Sequence, residues 1–157
     1  MEANRWRRFW LLSGQERGLL LQAMLLLPLT GLAMRLMGFR RWQKMLLRLA
    51  PRTIVGATIP SQDSLQLAYG IARMVHAAER HGLGRSNCLR QSLVLWWLMR
   101  RRGIVGELRI GVRKQAQGFQ AHAWVQLHGA VVSDLDDVHQ HYAPFDGPIT
   151  AAEAEPR

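Results

Sequence analysis

The hydrophobic pattern changes character along the chain. Residues 18–34 read GLLLQAMLLLPLTGLAM, 17 positions without a charge. That length falls just below the ~20 apolar residues of a membrane-spanning helix. Gln22, Pro28, Thr30 and Gly31 interrupt it, and Arg17 and Arg35 bound it. Pro28 and Gly31 predict a break near Pro28 and two shorter helical pieces. These would bury their leucines against a later helix over Leu65–Ala78 or against a partner protein. The second arrangement lays them flat on a membrane, with Arg17, Arg35, Arg40 and Arg41 at anionic head groups. RRWQKMLLRLA then sets Trp42, Met45, Leu46 and Leu49 at helical spacing with cations opposite. PRTIVGATIPSQD, with two prolines and a glycine, reads as a linker.

A third helix follows. Asp63 has the character of an N-cap, with Gln66 as its capping-box partner. Leu67, Ile71, Val75 and Ala78 share one face, and Gly82 ends the helix. After LGRS, a Leu/Trp-rich helix begins near Asn87 and closes on Arg100-Arg101-Arg102 and Gly103, a basic last turn with a glycine stop. From there the period is two. ELRIGVRK alternates Leu108, Ile110 and Val112 with Arg109, Gly111 and Arg113. FQAHAWVQL alternates Phe119, Ala121, Ala123, Val125 and Leu127 with Gln120, His122, Trp124 and Gln126. QAQG and HG supply the turns before AVVSD, giving an antiparallel meander. Helices first and strands after predict an α+β domain, its Cys88 helix packed on a short antiparallel sheet. The expected organisation is an apolar, basic helical segment and linker over 1–60, a core over 61–150, and a frayed tail over 151–157.

Composition narrows the class. The 157 residues are 48% hydrophobic and 20% charged, enough for one domain with a real core and too apolar for disorder. The net charge of +10 calls for something acidic nearby: nucleic acid, an anionic membrane surface or an acidic peptide. Many of the cations close apolar segments, where they suit helix C-termini. A single cysteine excludes an internal disulfide and a cysteine zinc cluster, and an unpaired thiol fits the reducing cytoplasm. The basic start, MEANRWRRFW, leads to no small-residue cleavage site, so no signal peptide is expected. His139 and His141, with His128, lack acidic or cysteine companions, so no metal is expected. No glycine-rich phosphate loop is present, and no cofactor is expected. Trp96, Trp97 and Trp124 fit packing better than base stacking.

One constellation carries chemistry. Cys88 follows Ser86-Asn87 at a helix start, His122 lies mid-strand, and Asp134 ends the next strand. A cysteine hydrolase needs a thiolate, a histidine that takes and returns a proton, and a polar group that orients the imidazole. A lone cysteine is more often buried filler. Cys88, however, precedes the apolar run, and His122 shares the Gln120/Gln126 side of its strand. Asp136 and Asp137 lie beside Asp134, and Asp136 is the alternative acid.

The segments NCLRQSLVLWWLMRRRGIVGELRIGV, FQAHAWVQLHG and SDLDDVHQHYAPF resemble the leader peptidases of lasso-peptide biosynthesis, which have a transglutaminase-like, papain-related fold. The likeness covers about residues 86–145, and more weakly the apolar segment and GFRRWQK. It implies a catalytic triad of Cys88, His122 and Asp134. It also implies cleavage of the leader from a ribosomally made precursor peptide, with the core passed to an ATP-dependent, asparagine-synthetase-like cyclase. The first 60 residues lack the fused recognition module of longer members, so a separate small leader-recognition protein is expected. Two alternatives remain open: a catalytically silent transglutaminase-like scaffold that presents the precursor, and a basic protein of membrane surfaces or nucleic acid.

Overall fold

Four helices precede a four-stranded antiparallel sheet among the described residues of the computed structural model, which are 10–50, 61–81, 87–115, 118–133 and 142–144. The helices are α1 (Gly14–Met37), α2 (Phe39–Leu49), α3 (Ser61–His81) and α4 (Cys88–Arg100). The strands are β1 (Glu107–Gln115), β2 (Gly118–Leu127), β3 (Ala130–Val131) and β4 (Ala143–Pro144), in the order β3-β2-β1-β4. This is the expected α+β architecture. The expected linker at 51–60, the LGRS loop, Asp134, Asp136, Asp137, His139, His141 and the tail over 151–157 lie outside the described residues.

Helix α1 runs unbroken through Pro28, contrary to the expected break. Pro28 lies on the exposed side of the helix, where water can replace the hydrogen bond that a proline removes. Buried Leu19, Leu20 and Ala23 before the proline and Leu27, Thr30 and Ala33 after it hold the helix to its neighbours. Its start is a full capping box: the Ser13 side chain accepts from the Glu16 N–H, and the Glu16 carboxylate accepts from the Ser13 N–H.

In α2 the buried residues are Trp42, Gln43 and Leu46, while Met45 and Leu49 are exposed. The inward face is thus rotated from the expected one. Trp42 sets that rotation by donating its indole N–H to Thr30 Oγ1 of α1 at 3.3 Å. In α3, Asp63 is a first-turn residue of a helix that begins by Ser61, not its N-cap. Its acid still suits the positive helix end. Ile71, Val75 and Ala78 are buried as expected, but Leu67 is exposed and Ala68 takes its place. Ala68 and Ala72, with Ala23 of α1, are fully or nearly fully buried. Small residues let two helices approach closely, and leucines move to the margins.

Helix α4 is the centre of the molecule. Residues 92–99 are buried without interruption, so it is covered on all sides. Both tryptophans are anchored by their indole N–H groups, Trp96 to the Gly106 carbonyl at 3.1 Å and Trp97 to the Leu46 carbonyl at 2.8 Å. The chain leaves the helix through Arg101 and Arg102 to Gly103, whose φ of 76° suits a glycine.

β1 pairs with β2 along its whole length, from Glu107 opposite Gln126 to Gln115 opposite Gly118. The HG turn has both central residues at positive φ, His128 at 50° and Gly129 at 82°, as a two-residue hairpin requires. The expected alternation holds only near the helices. Val125 and Leu127 join Leu108 in the main core, whereas Phe119 is 78% exposed at the far end of the hairpin. From Ala123 to Leu127 every residue is buried, because the other side of the sheet is also covered. There Trp124, Val131 and Tyr142 form a second small cluster. β4, which no periodicity announced, closes the free edge of β1 at Gly111 and Val112.

Candidate active site

Cys88 is the first residue of α4 and is half-buried. Asn87 caps the helix, its side-chain oxygen accepting from the N–H groups of Leu89 at 3.0 Å and Arg90 at 3.3 Å. The Asn87 N–H in turn donates to Glu79 of α3 at 3.3 Å, and Glu79 pairs with Arg90 at 3.6 Å. The cap is therefore braced from outside the helix. With Asn87 occupied by the Leu89 and Arg90 amides, Cys88 stands at the N-terminus of α4.

His122 sits in the middle of β2, opposite Gly111 of β1. Its ring stacks on that of Trp124 at 6.3 Å and lies 5.0 Å from the tilted ring of Tyr142. Arg113 covers Tyr142, its guanidinium 4.9 Å from the ring centre. Gly111 makes this packing possible. A Cβ there would lie 2.7 Å from the Ala143 carbonyl oxygen and 2.9 Å from the Trp124 ring. The glycine in IGV, the Trp in AHAW and the start of APF thus meet around one imidazole.

The helix of Cys88 is tied to the strand of His122 by one buried bond. Ser92 Oγ donates to the Ala123 carbonyl at 2.9 Å. Ser92 lies one helical turn after Cys88 and therefore on the same side of α4. Ala123 directly follows His122. The bond thus joins the two elements next to both candidate residues.

Asp134 itself lies outside the described residues, but the residue before it is firmly held. Ser133 is buried, its hydroxyl accepts from the Val125 N–H at 2.7 Å, and its carbonyl accepts from His76 Nε2 at 2.9 Å. The other ring nitrogen of His76, Nδ1, accepts from the Gln91 side-chain amide. His76 therefore braces α3, α4 and the Ser133 segment. His76, Gln91, Ser92, Ser133 and Tyr142 were not singled out by the sequence pattern. The only trace of them is a polar residue inside the apolar run of α4, Ser92, four positions after the cysteine.

A cysteine opening the central helix and a histidine on the strand bonded to that helix are candidates for a nucleophile and its base. The profile of the transglutaminase-like superfamily matches residues 33–145. The chain belongs to that superfamily. No curated protein and no solved structure matches the chain. The superfamily includes cysteine peptidases, and its domain here takes in α2, α3, α4 and the whole sheet. Among the described residues, no group of three or more His, Cys, Asp or Glu side chains is placed to hold a metal ion.

Proposed function

We propose that this transglutaminase-like chain is a cysteine endopeptidase that removes the leader from a ribosomally made precursor peptide in lasso-peptide maturation. The observation that carries the proposal is half-buried Cys88 at the capped N-terminus of α4, with the next turn bonded through Ser92 to Ala123, the residue after His122. The likeness of the NCLRQ, AHAW and APF segments to lasso leader peptidases supplies the substrate class.

In this reading the Cys88 thiolate attacks the carbonyl carbon of the leader–core bond. A helix N-terminus favours the anion through its dipole and free N–H groups. The C–O π pair moves to oxygen, where the Cys88 N–H donates to it. Collapse re-forms the C=O and breaks the C–N bond. His122, holding the proton taken from the thiol, gives it to the leaving amine of the core peptide. The leader remains as a thioester on Sγ. Water then attacks as His122 accepts one of its protons, and the thiol leaves with that proton. The products are a leader carboxylate, a core peptide with a free amine, and Cys88 restored. Asp134, following the braced Ser133, orients the imidazole. Recognition of the leader belongs to a separate small protein, and the freed amine passes to the ATP-dependent cyclase, all in the cytoplasm.

The test is cleavage of a leader–core precursor in the presence of its leader-binding protein. Cys88→Ala should abolish cleavage while leaving the circular dichroism spectrum and melting temperature in place. Full cleavage by that variant would remove the proposal. Presentation of the precursor without cleavage by the intact protein would favour the silent scaffold.

A further inference from the structure

The outer face of α1 has no partner among the described residues. Leu21, Leu25, Leu29, Leu32 and Leu36 lie exposed along it, Leu25 at 69% and Leu36 at 75%. Their spacing keeps them on one stripe of the 24-residue helix. The stripe exposes on the order of 500 Å² of apolar surface, at the upper end of what soluble monomers show and typical of a contact site.

What surrounds the stripe says what covers it. Arg17 and Arg35 close its two ends by helical spacing. Arg40, Arg41, Lys44 and Arg48 are exposed on α2, which follows directly, together with Met45 and Leu49. Across α1 and α2 six cations face one carboxylate, Glu16, and Glu16 is already engaged by Ser13 and Arg73. At the N-terminal end stands Trp10, 66% exposed, with Arg17 stacked over it at 5.4 Å. Tryptophan favours the boundary between hydrocarbon and head groups.

We infer that α1 and α2 dock this protein on an anionic lipid bilayer, with α1 lying in the plane of the interface. The α1 leucines enter the acyl boundary, and the cations meet the head groups. A bilayer offers hydrocarbon and dense negative charge side by side, which is the pairing this face presents. Helix α1 is long and apolar enough to cross a membrane. Its inner face, however, carries Leu19, Ala23, Leu27 and Ala33 of the main core. A crossing would strip that face from α3 and α4, whereas in-plane docking leaves the fold whole. The inference does not depend on Cys88.

The experiment is cosedimentation of the intact protein with vesicles of phosphatidylcholine containing about 30% phosphatidylglycerol, against phosphatidylcholine alone. Binding to the anionic vesicles should be at least about tenfold tighter. The double variant Leu25→Glu/Leu32→Glu, both at exposed positions, should lose at least about tenfold in binding while keeping its melting temperature. If that variant fails to fold, Arg40→Glu/Arg41→Glu serves instead. It keeps the apolar stripe and should lose the preference for anionic lipid. The inference is overturned if the wild type stays in the supernatant with anionic vesicles. Unchanged binding by a folded stripe variant does the same. A lipid-free dimer that the stripe variant abolishes would make the stripe an interface between two copies. Resistance to alkaline carbonate extraction would make α1 a span.

Discussion

At the scale of single residues, the candidate site depends on groups that do no chemistry. Gly111 has no room for a side chain, since a Cβ would meet both the Ala143 carbonyl and the Trp124 ring below 3 Å. Backbone and a buried indole yield poorly, so Gly111→Ala should destabilise the fold by about 1–3 kcal/mol. Urea denaturation would measure it, and a neutral result would mean that β4 shifts freely. The variant should also lose cleavage activity, because Tyr142 and His122 share that packing. Ser92 is the second case. Ser92→Ala leaves the Ala123 carbonyl, which points to α4, without its donor, at a cost of about 1–3 kcal/mol. As a positioning residue, Ser92 should affect the catalytic step more than binding. In Ser92→Ala kcat should fall with KM little changed, and Ser92→Thr, which restores a hydroxyl, should recover activity. A loss confined to stability, with kcat intact, would reduce Ser92 to a packing role.

At the scale of elements, the sequence showed most where periodicity was long and one-sided. The α4 start at Asn87, the Gly103 stop, the β1–β2 pairing and the HG turn between β2 and β3 were all legible, because caps, glycines and alternation act locally. The continuous α1 was not. Proline chemistry predicts a break, but whether water can reach the freed carbonyl is a tertiary fact. Leu67 and Met45 misled for the same reason: helix contacts here are made by Ala68, Ala72 and Gln43, which a hydrophobicity pattern undervalues. β4 is two residues long and forms through pairing distant in sequence, so nothing local marks it. One element-scale prediction follows from the α1–α3 tie. The Ser13 N–H, the Ser13 hydroxyl and Arg73 hold the Glu16 carboxyl below its ordinary value of 4.5. A depressed carboxylate adds stability above its unfolded value, and that stability is lost as pH falls through the folded value. Melting temperature should therefore drop from pH 5 towards pH 3 in the wild type more than in Glu16→Gln. Parallel curves for the two proteins would show that the capping box and the Arg73 bridge contribute nothing measurable.

At the scale of the whole molecule, the N-terminal helices are structural. Leu19, Leu20, Ala23, Leu27 and Ala33 belong to the same core as Leu93, Trp96 and Val125. Deleting residues 1–35 would remove most of one wall of that core, exposing Ile71, Val75 and their neighbours on α3. The truncated chain should aggregate or express as inclusion bodies, which size-exclusion chromatography would reveal. A monodisperse truncated protein with native melting would show that the core of α3, α4 and the sheet is sufficient. Helix α4 is locked in the interior and carries half-buried Cys88 at its N-terminus.

Whether Cys88 and His122 work as a pair can be tested without knowing the precursor. The measurement is the rate of Cys88 alkylation by iodoacetamide at pH 6, followed by intact mass, in the wild type and in His122→Ala. Cys88 is the only cysteine, so the signal has one source. A thiolate held by an imidazolium reacts at a pH where an ordinary thiol is almost wholly protonated. If the two work as a pair, the wild type is alkylated fast and His122→Ala at least about tenfold more slowly, with the fold retained. Equal rates in the two folded proteins would contradict that pairing.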